Sequence, residues 1–228
     1  MALKLDDVVP FGRSFDEYRR IFALTEEDLG KKIIGAADGP AGFNAEMKRR
    51  GKRVVSVDPI YEFSGEEIKM RFYEAVDGVI EQVRTTPGDW TWTYHESPKG
   101  LRANRVRALE TFLPDYEAGK QEGRYVTGEL PRLDFEDGAF DIALCSHFLF
   151  LYSDKFGYEF HRDSILEMMR VAGEARIFPL LALSLARSPY IEPLREELES
   201  RGFTVGITKV DYEIQRGGNE MMRVGRGR

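Results

Sequence analysis

A single cysteine, Cys145, stands in the 228 residues, so no disulfide can form within the chain. That usage suits a reducing compartment, and a cytoplasmic location is expected. Histidine is scarce too. Its three copies, at 95, 147 and 161, and the one cysteine lack the close spacing of a zinc centre, so no metal is expected. No apolar run approaches the ~18 residues that span a bilayer. The opening MALKLDDVVPFG has no basic segment followed by a long apolar one, so neither a secretory signal nor a membrane partner is expected. Positive charge is also short: 33 Lys and Arg face 39 Asp and Glu, a net charge of −6. A protein built to grip a phosphate backbone needs a basic surface, so nucleic acid is not an expected partner. Repeats and low-complexity tracts are absent.

What is present is ordinary globular material, 42% hydrophobic and 32% charged, enough for one domain with a full core. The stretch with most information is residues 31–61, KKIIGAADGPAGFNAEMKRRGKRVVSVDPIY. A short apolar run ends in a glycine-rich turn, a helical stretch closes at Gly51, and a second apolar run ends at Asp58 and Pro59. Glycines let backbone approach a ligand closely, and a helix start offers free N–H donors. An acid about 20 residues beyond such a turn is placed to accept hydrogen bonds from ribose hydroxyls. The unit reads as a site for a nucleoside-containing cofactor.

Two cofactor classes fit. A dinucleotide asks for G-x-G-x-x-G, with its pyrophosphate on the helix start. The aligned residues here are Ala37, Asp38, Gly39, Pro40, Ala41 and Gly42. The first glycine is missing, and Asp38 sets a negative charge where the pyrophosphate would lie. S-adenosylmethionine carries no phosphate; its sulfonium and ammonium groups tolerate an acid in the turn.

With these residues in view, the chain resembles the class I S-adenosylmethionine-dependent methyltransferases. DGPAGF resembles a CGPGSF-like form of that family's glycine motif. Asp58, after RVVSV, matches its ribose-holding acid. GELPRLDFEDGAFDIALCSHFLFL resembles the segment that joins its third and fourth strands. The likeness covers most of residues 25–228. One departure stands out: the family's acid near the end of the first strand falls here on Gly35, and Asp38 is the nearest carboxylate. The resemblance implies S-adenosylmethionine as cofactor, with Asp38, Gly39, Pro40, Asp58, Pro59, Glu129, Leu130 and Ser146 around it. Glu129 and Leu130 would meet the adenine.

Local patterns supply the elements. Ser14–Glu17 and Ser64–Glu67 are capping boxes, and Ser97–Pro98 opens a third helix. Pro40 suits a first helical position in the helix after the glycine turn. Ile68, Phe72, Val76, Val79 and Val83 follow one helical stripe; Leu101, Leu109, Phe112 and Leu113 follow another. Residues 62–122 exceed what a crossover needs and read as a helical insertion over the cofactor edge, or as one ordinary crossover helix plus a helical cap. Strands are expected at 125–127, 140–146, 175–183, 203–208 and 221–226, with helices at 161–171 and 189–201; the RVGRGR tail is expected to fray. The fold class is α/β: a Rossmann-like, doubly wound, mainly parallel sheet with a C-terminal antiparallel strand pair, in a single domain 1–228.

His147, just past the fourth strand, is the catalytic candidate, either lining the pocket or taking a proton from the acceptor. Cys145 is expected to face the core. Trp90, Trp92, Tyr94 and Phe72 fit either a substrate pocket or the insertion's own core. Arg102, Arg105 and Arg107 read as a solvated helix face. The expected function is methyl transfer to a small molecule. Two alternatives stay open: a non-catalytic methyltransferase-fold regulator and a nicotinamide-dependent oxidoreductase. Neither the acceptor nor the oligomeric state is legible.

Overall fold

The computed structural model describes residues 9–227. Most of the segment read above for a secretory signal, and Arg228 of the tail, lie outside them. Chain order is α1 (Phe15–Ile21), β1 (Ile33–Ala36), α2 (Phe43–Arg49), β2 (Val54–Val57), α3 (Gly65–Thr85), α4 (Pro98–Gln121) and β3 (Tyr125–Val126). There follow β4 (Phe140–Ser146), α5 (Tyr158–Val171), β5 (Ala172–Phe178), α6 (Ile191–Ser200), β6 (Phe203–Lys209) and β7 (Glu220–Arg226). They form one seven-stranded sheet in the order β3-β2-β1-β4-β5-β7-β6. The first five strands are parallel, and β7 runs antiparallel to both β5 and β6. The expected doubly wound sheet with an antiparallel ending is present.

Side-chain alternation splits the core into two layers. Ile33, Ile142 and Leu144 pack with Tyr18, Phe43, Phe72 and Phe112 of α1–α4. Ile34, Ala143 and Cys145 pack on the other face with Ile165, Met168 and Leu194 of α5 and α6. Cys145 is fully buried, and burial pushes its thiol up to about 12, so it is inert core. Both capping boxes form, at Ser14 and Ser64. The two helices α3 and α4 occupy most of the long stretch between β2 and β3.

Several boundaries differ from expectation. The helix after the glycine turn starts at Phe43, so Pro40 lies in the turn itself and not at a first helical position. Strand β5 begins at Ala172 directly from α5 and ends at Phe178, because Pro179 has no N–H for the ladder. The apolar residues after it therefore leave the sheet. The described part of the tail does not fray as expected: Arg223 to Arg226 lie in β7, with Arg223 to Gly225 paired to both β5 and β6 and Arg226 to β6. Among the described residues no helix is long and apolar enough to cross a membrane.

Candidate cofactor and acceptor site

Parallel strands deliver their carboxyl ends to one edge, where open α/β sheets bind ligands. A cavity of about 460 Å³ lies there. Its wall includes Asp38, Gly39, Asp58, Pro59, Glu129, Leu130, Ser146 and His147. Eight of the nine candidate site residues are thus brought together. Pro40 is not on the wall; it is buried, with its carbonyl close enough to Gly12 that a Cβ there would collide with it.

The departure at Gly35 has a physical counterpart. A Cβ on Gly35 would collide with the Asp38 carboxylate, which folds back over the end of β1. The acid missing from position 35 is replaced in space by one three residues later. Ala37 and Gly39, at φ +57° and +56°, make that reversal. Tyr18 Oη donates to Asp38 Oδ1 at 2.5 Å and Ser56 Oγ to Oδ2 at 2.6 Å. Burial pushes Asp38 up to about 6, although both hydroxyls pull the other way.

Asp58 sits at the tip of β2. Its Oδ2 accepts from Gly39 N at 2.8 Å and its Oδ1 from Ile60 N at 2.9 Å. The carboxylate is therefore fixed in orientation with lone pairs left over. Burial also raises Asp58 to about 6, against those two N–H donors and with help from Glu129. Two further donors of the turn are engaged as well. Ala41 N bonds Gly39 O at 2.8 Å and Gly42 N bonds Arg13 O at 3.0 Å. These are the N–H groups that would cradle a pyrophosphate.

At the tip of β4, Ser146 Oγ and His147 Nδ1 lie 2.9 Å apart. His147 is only 8% exposed, its φ is +53°, and its backbone N–H bonds Phe178 O at 2.6 Å. Its Nε2 is buried without a partner among the described residues. Burial, then Arg13, Arg105 and His95, hold its pKa well below the ordinary histidine value. The ring is neutral and a weak base.

Sequence reading missed a buried polar cluster beside His147. Arg105 is 2% exposed, not solvated; it donates to Gly12 O at 2.7 Å and pairs with Glu17. Its spacing from Leu101 and Leu109 put it on the inward stripe of α4, a signal that was available. Tyr212 Oη donates to Glu17 Oε1 at 2.9 Å and lies 2.9 Å from His95 Nε2. Burial, then Arg105, push His95 down to about 3, despite Glu17. Arg13, Arg105 and Tyr212 all reach the cavity wall. Arg13 and Tyr212 carry no local motif; only the tertiary fold joins them to α4. Of the aromatics proposed for a pocket, Trp90 lines the cavity, whereas Phe72 is core.

No family model matches the chain. It is 34% identical over 225 residues to the uncharacterised protein MJ0045 of Methanocaldococcus jannaschii, covering 98% of this chain and 99% of that one. Among solved structures it is similar to the 1,6-didemethyltoxoflavin-N1-methyltransferase of Burkholderia thailandensis, determined with 1,6-didemethyltoxoflavin and S-adenosylhomocysteine bound. That match has a TM-score of 0.51 and 14% identity, and covers 92% of this chain and 78% of the other. It establishes the class I methyltransferase fold. A TehB-like S-adenosylmethionine-dependent methyltransferase of Corynebacterium glutamicum gives a TM-score of 0.49 at 15% identity, over 97% of this chain and 89% of that one.

Proposed function

The chain belongs to the same family as MJ0045 of M. jannaschii and has the class I methyltransferase fold, and from that premise we propose that it binds S-adenosylmethionine and methylates a small molecule. One observation carries the reading: Asp58 stands at the tip of β2 with its carboxylate already oriented by Gly39 and Ile60, on the wall of a cavity that reaches His147. A carboxylate so held accepts from both hydroxyls of a ribose without reorganising. The turn favours this cofactor over a dinucleotide, because its N–H donors are spent on Asp58, Gly39 and Arg13. Asp38, buried in the turn, adds a carboxyl that suits a sulfonium and opposes a pyrophosphate.

Bound there, the cofactor would supply an electrophilic methyl group on a sulfonium. The chain's own residues do the rest by binding and positioning. Glu129 and Leu130, on the β3 side of Asp58, are suited to the adenine. Ser146 orients the His147 ring, whose Nε2 is left to position the acceptor. Proximity in a water-poor cavity can supply most of the rate for such a transfer, so a weak base at His147 is no obstacle. We read residues 62–122 as a helical insertion within a single domain, contributing Phe63, Arg71, Val79, Trp90 and Leu101 to the acceptor side.

Calorimetric titration with S-adenosylhomocysteine and, separately, NAD tests the cofactor. Heat with the first and none with the second is expected; the reverse removes the reading. Incubation of metabolite extracts with methyl-labelled cofactor then tests for transfer.

A further inference from the structure

The His147 end of the cavity is basic, whereas the wall carboxylates Asp38, Asp58 and Glu129 stand at the tips of β1, β2 and β3. Two guanidiniums, Arg13 and Arg105, face one carboxylate, Glu17, whose ion pair is with Arg105. Arg13 donates one terminal N–H to Phe11 O at 2.5 Å, and its Nε is buried with no partner among the described residues. Burial, then Arg105, push Arg13 down to about 10, yet it remains charged at neutral pH. A second orphan, His147 Nε2, lies on the same cavity wall. A buried polar atom without a partner is costly, and two around one cavity point to a ligand that fills it.

Charge is also sorted along the sheet edge. Asp58 and Glu129 stand at the tips of β2 and β3, on one side of β1, while His147 stands at β4, on the other. The groups acting on Asp58 are two N–H donors and Glu129, whereas those acting on His147 are Arg13, Arg105 and His95. Much of the remaining wall is apolar: Val79, Ile80, Val83, Trp90, Leu101 and Ile214. The cofactor proposed above carries a sulfonium, an ammonium and one carboxylate, a net positive charge. Asp38 and Asp58 on the acidic side suit that positive charge, while the unpaired Arg13 Nε at the basic end suits an anion.

We propose that the methyl acceptor is a small, largely apolar molecule bearing one carboxylate, which docks on Arg13 with His147 beside it. This rests on the methyltransferase reading of the same cavity. A carboxylate takes the free Nε–H of Arg13 as a charge-assisted hydrogen bond. An uncharged analogue leaves that donor buried and unpaired, which is the stronger form of discrimination.

The test uses the whole chain saturated with S-adenosylhomocysteine and three probes: 1-naphthoate, 1-naphthamide and 1-naphthylmethylammonium. Calorimetry is expected to show the carboxylate binding at least about tenfold more tightly than either of the others. Arg13→Met should erase that preference while S-adenosylhomocysteine affinity stays within about threefold, and Arg13→Lys should restore part of it. Equal binding of carboxylate and amide, or binding of none of the three, overturns the proposal. So does a loss of about tenfold or more in S-adenosylhomocysteine affinity in Arg13→Met, which would assign Arg13 to the cofactor's own carboxylate. S-adenosylhomocysteine titrated alone reports separately on the cofactor reading, and naphthoate titrated without it still reports on Arg13.

Discussion

Two carboxyls at adjacent strand tips set the pH behaviour of the free protein. Asp38 and Asp58 stand near 6 against an ordinary 3.8, chiefly because burial disfavours the charged form. Between those values the folded state binds more protons than the unfolded one. Stability therefore falls as pH rises through that window, by on the order of 1–3 kcal/mol for the coupled pair. Asp28 acts in the opposite sense and elsewhere: burial alone would raise it, but Thr25, Lys31 and Arg176 hold it at about 2. Its contribution is lost only as pH drops below the ordinary carboxylate range. Urea unfolding at several pH values from about 4 to about 6.5 should show the decline, and Asp38→Asn should lessen it. An equal decline in both proteins would exclude Asp38 as its source. Affinity for S-adenosylhomocysteine should run the other way, weakening below about pH 6 as Asp58 is protonated and loses acceptor capacity. Asp58→Ala should cost about one to two orders of magnitude at neutral pH, since hydrogen bonds to a charged group contribute about 1.5–3 kcal/mol. A calorimetric series at several pH values checks both. His147 supplies a further expectation. Held neutral by burial and two arginines, it should give kcat, at saturating cofactor, no rising limb near its ordinary 6.5. A limb there that His147→Gln removes would restore the general-base role.

Between elements, the bond between Glu17 on α1 and Arg105 on α4 joins the first helix to the segment between β2 and β3. Both side chains are fully or almost fully buried. Burial alone would raise the Glu17 carboxyl, but Arg105 and His95 outweigh it and the pKa is lowered. Glu17→Gln leaves Arg105 and Arg13 as uncompensated buried cations, so a loss of about 3–5 kcal/mol is expected in urea unfolding. A loss under about 1 kcal/mol would mean that water reaches the cluster. Elements of this kind also show what the sequence could tell. The capping boxes at Ser14 and Ser64 form because Ser and Glu three apart satisfy each other's backbone donors locally. The Asp58 tip was visible because strand, turn, helix and strand are consecutive. The fold of Asp38 over Gly35 was hidden, since it depends on positive φ at Ala37 and Gly39 and on Tyr18 and Ser56 arriving from other elements. Arg105 was misplaced because a charged residue on an apolar stripe reads as solvated until its buried partner is known.

At the scale of the whole molecule, the cavity is closed by segments far apart in the chain. Residues 9–13 contribute Phe11 and Arg13, α3 contributes Val79 and Ile80, and the β6–β7 connection contributes Tyr212 and Ile214. The loop that follows α3 is tied to that connection. Thr91 N bonds Ile214 O at 2.9 Å, Arg216 N bonds Asp89 O at 2.9 Å, and Trp90 bridges Gln215. The antiparallel ending of the sheet thus does more than cover an edge: its connecting loop meets the loop after α3 beside the cavity. A ligand touching that wall should stabilise all of these segments at once, because each lines the same cavity. Hydrogen exchange is the measurement. S-adenosylhomocysteine alone should slow exchange at residues 37–42 and 58–63. Adding an acceptor should extend protection to residues 79–95 and 210–216, while the outer face of β6, remote from the cavity, stays unchanged. Protection that never leaves the glycine turn and the Asp58 tip would mean that the insertion and the hairpin loop do not enclose the acceptor. The apolar wall around Trp90 would then be packing between elements, and not a binding surface.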